Sequence, residues 1–365
     1  MITVILPTFN EAKNIRSIVP ALTEVFQQQG IVGEILIVDD SSPDGTAEVA
    51  SALADKYPVR VHVRKTERGL SKAVMEGFKL AKGDICIVMD ADMSHPVEEI
   101  PAMIKPIVQQ QYDATVGSRY ITGGGSANWP LWRKVLSRGA GLLAQGVTTL
   151  SDPTSGFMAI RKNLLNGTQL DPRGWKIVLE VAVKTNPRIL EVPIIFKERQ
   201  EGESKLGLRA QMEYIHHLWR LYEYKYPSIS EFFKFCLVGL SGLFVDTAVL
   251  VAIVGRFSLD PRFAAVFSFL AAVSWNYYFD RSWAFKIGRS IKVSYSYISF
   301  IVICLFGLGI RIGVMHLFIE YAGMGKSPWY IVSSIIGIVA ATVFNYFGTK
   351  YIAFSKIFRR REESP

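Results

Sequence analysis

Two regimes of apolar and polar positions divide the chain. Residues 2–6 are apolar and largely β-branched, and from Asn10 to about Gln29 the apolar positions take up the spacing of an amphipathic helix. The same change of period recurs from residues 34–38 to 46–56, from 59–63 to 69–80 and from 85–89 to 97–110. Fully apolar strands alternating with amphipathic helices predict an α/β domain built on a buried, mostly parallel sheet. Such a sheet takes up ligands beyond the carboxyl ends of its strands, which is where Asn10, Glu11, Asp39, Asp40, Asp90 and Asp92 fall. From about 117 to 207 the pattern loosens into Gly-rich and Pro-containing loops around short apolar runs at 157–160 and 189–192.

The second regime is almost continuously apolar. Four stretches, roughly 232–254, 263–285, 295–319 and 329–354, are each long enough to cross about 30 Å of hydrocarbon at about 1.5 Å per residue. They predict an all-α four-helix transmembrane domain. Ahead of them Met212, Ile215, Trp219 and Tyr222 recur at helical spacing beside Arg220 and Lys225, as in a helix lying in the membrane interface or one packed on the first domain. The expected division is a soluble domain over 1–207, an amphipathic interface helix region over 208–229, the transmembrane domain over 230–356 and a basic tail over 357–365.

Charge sets the orientation. Arg281, Lys286, Arg289 and Lys292 fall between the second and third stretches, and Lys356, Arg359, Arg360 and Arg361 follow the fourth. Basic residues stay on the cytoplasmic side, so both clusters and the first domain are expected there, in a multi-pass protein of the cell membrane. Asn10 and Glu11 interrupt the first apolar run and no basic segment precedes it, so no export signal is read. The stretch 275–285 also aligns with 344–354, each with an Asn, a Tyr, a basic residue and a final Ala-Phe, which predicts two parallel helical hairpins. Asp246 and Arg311 fall at similar depth, either paired between hairpins or reaching the outer interface separately.

At 365 residues two domains are the default, and the net charge of +9 suits an anionic partner. Beside a membrane half, lipid headgroups and phosphorylated substrates take precedence over nucleic acid. Cys86, Cys236 and Cys304 form no CxxC pair and have no His at ligand spacing, so they read as buried hydrophobes.

Asp90-Ala91-Asp92, directly after the apolar run 85–89 and before Ser94-His95-Pro96, carries the strongest chemical signal. Two carboxylates at the mouth of a buried strand repel each other unless a cation compensates, and their hard oxygens suit Mg²⁺ or Mn²⁺ shared with phosphates. Asp39 and Asp40 either cap the helix that begins near Thr46 or accept from a nucleotide, and Asn10 and Glu11 either cap a helix or meet a ribose. Arg119 closes the run Gly-Ser-Arg, Arg133 and Arg138 flank Ser137 in an expected helix, Arg161 follows Ser155-Gly156-Phe157, and Arg199 and Lys205 bracket Gly202-Glu203-Ser204. Singly they read as solvated surface; as a set they suit bidentate phosphate recognition.

The motifs 6–11 (Leu-Pro-Thr-Phe-Asn-Glu), 38–46, 89–96, 117–120 (Gly-Ser-Arg-Tyr), 152–157 and 199–205 make residues 1 to about 228 resemble the inverting glycosyltransferases with a Rossmann-like nucleotide-diphospho-sugar fold. Within these the likeness is to the dolichyl-phosphate mannosyltransferases, and residues 230–354 resemble the four-helix GtrA-like membrane domain. The resemblance implies GDP-mannose as donor, dolichyl or another polyprenyl phosphate as acceptor, inversion at the anomeric carbon, and a lipid-linked mannose product that serves glycosylation. By position it implies that Pro7, Asn10, Glu11, Asp39 and Asp40 hold the nucleoside, while Asp90, Ala91, Arg199 and Lys205 also face the nucleotide-sugar. It further implies that Asp90, Asp92 and Ser94 organise the metal, and that Arg119, Arg133 and Ser137 meet the acceptor phosphate. Asp92, Arg119 and Arg133 are then the catalytic residues, and Arg199, Ser204 and Lys205 close over the site. Some members of that family carry Gln where this chain has Ser94. A phosphomonoester is largely dianionic at neutral pH, so no strong general base is required.

Two rival readings stay open: a glucosyltransferase using UDP-glucose and a polyprenyl phosphate, or a lipid flippase whose soluble domain only regulates. The Gln-x-x-Arg-Trp signature of processive polysaccharide synthases is absent from the sequence.

Overall fold

A computed structural model of the chain describes residues 1–65, 68–127, 129–172, 176–197, 207–257, 260–285, 291–324 and 329–355. It forms two compact units, Met1–Lys225 and Tyr226–Pro365.

In the first unit the expected alternation is realised. It runs β1 (Ile2–Thr8), α1 (Ala12–Gln28), β2 (Gly33–Asp39), α2 (Thr46–Leu53), β3 (Val59–Val63), α3 (Leu70–Leu80), β4 (Ile85–Val88) and α4 (Ile100–Val108). There follow β5 (Ala114–Ser118), β6 (Gly125–Ser126), α5 (Leu131–Ala144), β7 (Met158–Arg161), α6 (Ile177–Thr185), β8 (Ile189–Pro193), β9 (Ile195–Phe196) and α7 (Leu208–Lys225). Seven strands make one sheet in the order β3-β2-β1-β4-β7-β5-β8, with β7 antiparallel to both neighbours, and β6 pairs with β9 separately. Side chains alternate across the sheet, which explains the unbroken apolar runs. Ile2, Val4 and Leu6 pack with Ile15, Ile18 and Leu22 of α1 on one face, while Ile5 packs with Val74 and Phe78 of α3 on the other. The chain leaves β1 for β2 and β3 on one side and returns to place β4 on the other, so the crevice of this fold opens between the ends of β1 and β4.

The helix over 208–225 packs with the first unit. Tyr214 Oη donates to the Ala140 carbonyl at 2.6 Å, Tyr222 Oη to Leu143 at 2.9 Å and Lys225 Nζ to Val147 at 2.8 Å. The opposite face of α7 exposes Met212, Ile215 and Trp219, and α5 exposes Leu131, Trp132, Val135 and Leu142.

The second unit comprises α8 (Pro227–Phe257), α9 (Pro261–Phe279), α10 (Val293–Tyr321) and α11 (Trp329–Gly348), with π-turns at Asp280–Ala284 and Thr349–Ala353. Among the described residues three helices are long and apolar enough to cross a membrane, Pro227–Arg256, Val293–Tyr321 and Ile331–Ala353. The remaining helix of the unit, α9, is 19 residues long, ends in Trp275-Asn276-Tyr277-Tyr278 and is not among these three. Apolar side chains such as Phe244, Val251, Phe306 and Ile312 point outward, as helices bathed in lipid require.

Two hairpins, α8–α9 and α10–α11, repeat one another contact for contact. In the first, a Cβ on Gly242 would stand 2.1 Å from Asn276 Oδ1; in the second, one on Gly307 would stand 2.1 Å from Asn345 Oδ1. Tyr277 meets the rings of Tyr297 and Phe300 at 5.0 and 5.7 Å, and Tyr346 meets those of Phe232 and Phe235 at the same two distances. One turn on, Arg281 donates to Ser296 at 3.0 Å and Lys350 to Glu231 at 2.7 Å. The end of each hairpin thus clasps the start of the other. The ion pair considered for Asp246 and Arg311 does not form: Arg311 donates instead to Ser334 at 3.4 Å, within its own hairpin. Lys286, Arg289, Lys356 and Arg359 to Arg361 lie outside the described residues.

Candidate active site

Three neighbouring strands, β2, β1 and β4, each hand over to a loop containing one non-glycine residue in the left-handed region: Ser41 (φ 53°), Asn10 (φ 61°) and Met93 (φ 61°). L-residues with side chains resist this conformation, and such strain gathers at ligand sites. The loops are held by the acidic residues singled out above. Asp39, fully buried, accepts from Thr8 Oγ1 at 3.0 Å and from the Ser42 amide and hydroxyl at 2.8 and 2.5 Å. Asp40 pairs with buried Arg64 and accepts from the Gly69 amide at 2.7 Å. Neither caps α2; Asp44 takes the Thr46 amide at 3.1 Å. Asn10 and Glu11 are tied by their own amides to Ser42 and Thr46, both at 3.0 Å, which leaves the Asn10 side chain exposed beyond the strand ends.

Past β4 the chain turns back on itself. The Asp90 amide donates to His95 Nδ1 at 3.1 Å, and His95, buried, stacks on Phe157 at 5.3 Å. Asp92 accepts from the Ser94 amide at 3.1 Å and hydroxyl at 2.5 Å, so Ser94, fully buried, orients Asp92. Asp90 stays half-exposed, and no side chain crowds it from Gly156, where a Cβ would stand 3.7 Å from Asp90 Oδ2. Among the described residues no three His, Cys, Asp or Glu side chains gather as a closed cation cage. Two hard carboxylates one residue apart, Asp90 bordering open space and Asp92 buried behind it and oriented by Ser94, suit Mg²⁺ or Mn²⁺, which complete their shell with water and phosphate oxygens.

A cavity of about 410 Å³ opens beside Asp90 and is lined by Pro7, His95, Arg119, Arg133, Ser137 and Lys176 among others. It therefore gathers five of the residues named from the sequence and leaves Asn10, Glu11, Asp39, Asp40, Ala91, Asp92 and Ser94 outside its lining. Arg199, Ser204 and Lys205 lie outside the described residues. His95 and Lys176 were not distinguishable from structural residues in the sequence, since neither has a spacing that marks a site.

Arg119, on the cavity wall, is held by Asp152. Its guanidinium grips Asp152 with Nε at 2.6 Å and Nη2 at 2.7 Å, its amide reaches the same carboxylate at 3.0 Å, and both residues are buried. Burial alone would raise the Asp152 carboxyl, but the Arg119 hydrogen bonds and charge outweigh it and hold it below the usual carboxylate range. The Arg119 charge is thus already matched. Arg161, also a candidate, caps α4 by donating to the Ile107 carbonyl and stands away from the cavity. Arg133 lies over the Trp129 ring at 4.1 Å, and Ser137 Oγ is 3.5 Å from Thr154 Oγ1. Burial, with Arg119 nearby, pushes the Lys176 amine down to about 8.

The chain matches the glycosyl transferase family 2 model over residues 3–167 and the GtrA/DPMS transmembrane domain model over 234–354. It is 35% identical over 356 residues to the dolichol-phosphate mannosyltransferase of Pyrococcus furiosus, covering 96% of this chain and 97% of that one. Against the dolichol-phosphate mannosyltransferase of Mycosarcoma maydis the identity is 38% over 264 residues, 69% of this chain and 90% of that one. Among solved structures, mannosyl-3-phosphoglycerate synthase from Rubrobacter xylanophilus shares the fold, with a TM-score of 0.50 and 16% identity over 62% of this chain and 75% of that one. With a mostly parallel sheet, an acidic pair at its switch point, a basic cavity beside it and a membrane unit later in the sequence, matched along almost its whole length, the chain belongs to the dolichol-phosphate mannosyltransferase family of glycosyltransferases.

Proposed function

We propose that the protein transfers mannose from GDP-mannose to dolichyl or another polyprenyl phosphate, with inversion, on the cytoplasmic side of a membrane that it crosses several times. The observation that carries this reading is the cavity, which sets one acidic wall at Asp90 against basic groups at Arg133 and Lys176, with Leu136, Leu143, Ile177 and Ile215 completing an apolar side. A phosphorylated hydrocarbon has that same division of character.

Asp90 and Asp92 would hold Mg²⁺ or Mn²⁺, which supplies countercharge to the leaving diphosphate. Pro7 and the loops of Asn10, Glu11, Asp39 and Asp40 would receive the nucleoside. Arg133 and Ser137 would position the acceptor phosphate, whose oxygen attacks the anomeric carbon from the side opposite the leaving group. The dianion is nucleophilic as it arrives, so no residue has to remove a proton. Arg119, locked to Asp152, shapes the floor on which the acceptor sits.

The full chain in detergent, given radiolabelled GDP-mannose or UDP-glucose with and without a polyprenyl phosphate, tests the reading. Lipid-linked label is expected from GDP-mannose only when the lipid is present, abolished by EDTA and restored by Mn²⁺ or Mg²⁺. Label from UDP-glucose alone would move the reading to the glucosyltransferase. Absence of transfer from either donor would overturn it, and activity undiminished in EDTA would remove the metal.

A further inference from the structure

Three cations reach the cavity, and their charges are differently spent. Arg119 is matched by Asp152, which also takes Thr154 Oγ1 at 3.1 Å. Arg133 lies over the Trp129 ring. Lys176, immediately before α6, has only the Thr154 carbonyl at 3.3 Å and the Tyr214 ring at 5.9 Å, and among the described residues no carboxylate forms an ion pair with it. Asp90 and Asp152 act on this amine only through space, so its charge stays available to an anionic ligand that enters the cavity.

The surroundings say which ligand. Facing the amine are Arg119 at the end of β5, Asp152 and Thr154 ahead of β7, Asp90 after β4 and Tyr214 on α7. Thr154 touches Ser137 of α5 through its hydroxyl and Lys176 through its carbonyl, so Lys176 and Ser137 bracket one small space. The apolar members of the cavity come from α5 and α7, through Leu136, Ala140, Leu143, Tyr214 and Ile215. The geometry points to Lys176 as a further cation that, beside Arg133 and Ser137, receives the phosphate of the lipid acceptor at the apolar side of the cavity. This rests on the acceptor being a polyprenyl phosphate. A dianion arriving there favours the charged form of an amine that burial pushes down to about 8.

Initial rates of the full-length protein, with short-chain polyprenyl phosphate and GDP-mannose varied separately, test it in Lys176→Met and Lys176→Arg. The Met variant, similar in volume but uncharged, should raise the acceptor KM about tenfold or more, the loss of one charge-assisted contact. Its KM for GDP-mannose and its unfolding midpoint should hold. The Arg variant should recover most of the acceptor KM. An unchanged acceptor KM in the Met variant, an equal rise for donor and acceptor, or a drop in unfolding midpoint that Arg does not repair would each overturn the assignment. Failure of the wild-type protein to use any polyprenyl phosphate would instead remove the reading on which it rests.

Discussion

Asp152 governs the charge of the cavity floor. Its oxygens take three bonds from Arg119 and one from Thr154, and its own amide donates to Glu191 at 3.0 Å. Asp152→Asn would leave a buried guanidinium half-matched, and removal of one partner of such a pair costs about 3–5 kcal/mol. Chemical unfolding should show a loss of that order, with GDP binding weakened only as far as the fold loosens; an unchanged unfolding midpoint would contradict the pairing. Because the folded carboxyl lies below its unfolded value, this contribution is complete above about pH 4 and is lost as pH falls through the folded value. The sequence displayed Arg119 and Asp152 as members of separate motifs, 33 residues apart, and nothing in their spacing brings them together. They meet because β7 runs antiparallel beside β5, a reversal that no periodicity announces. Asp90 and Asp92, by contrast, were legible, since a strand end needs only its own apolar run to be recognised.

Among the elements, the four leading βα units were readable because buried parallel strands leave a continuous apolar signature, and the hairpin repeat was readable because identical contacts demand similar residues. The apolar signal is weakest at α9, whose end carries Trp275, Asn276, Tyr277 and Tyr278, and α7 could not be assigned to a unit because its two faces serve different surroundings. Hairpin packing yields a sharp prediction at Gly307, where Asn345 lies so close that a Cβ would overlap its amide oxygen. Gly307→Ala should spread α10 from α11 and lower stability in detergent by about 1–3 kcal/mol, the usual cost of overpacking. Trimming the opposing side chain in Gly307→Ala/Asn345→Ala should return part of that loss. Equal or greater destabilisation in the double variant would mean that the two residues do not press on each other.

At the scale of the molecule, the cavity and all the described site residues belong to Met1–Lys225, a unit with its own two-faced core. A chain ending at Lys225 should therefore fold and bind GDP as the full chain does, while separating from membranes far more readily; failure to bind GDP would show that the division is not one of folding. The membrane unit obeys a different logic. Lys350 near its end clasps Glu231 near its start, just as Arg281 clasps Ser296 at the midpoint, so the four helices form a closed ring with no privileged first member. A polypeptide must begin somewhere, but a ring need not. The order in which the two hairpins are written in the gene is thus free with respect to their packing, and a circularly permuted arrangement, with the second hairpin preceding the first, satisfies every clasp that the native order does.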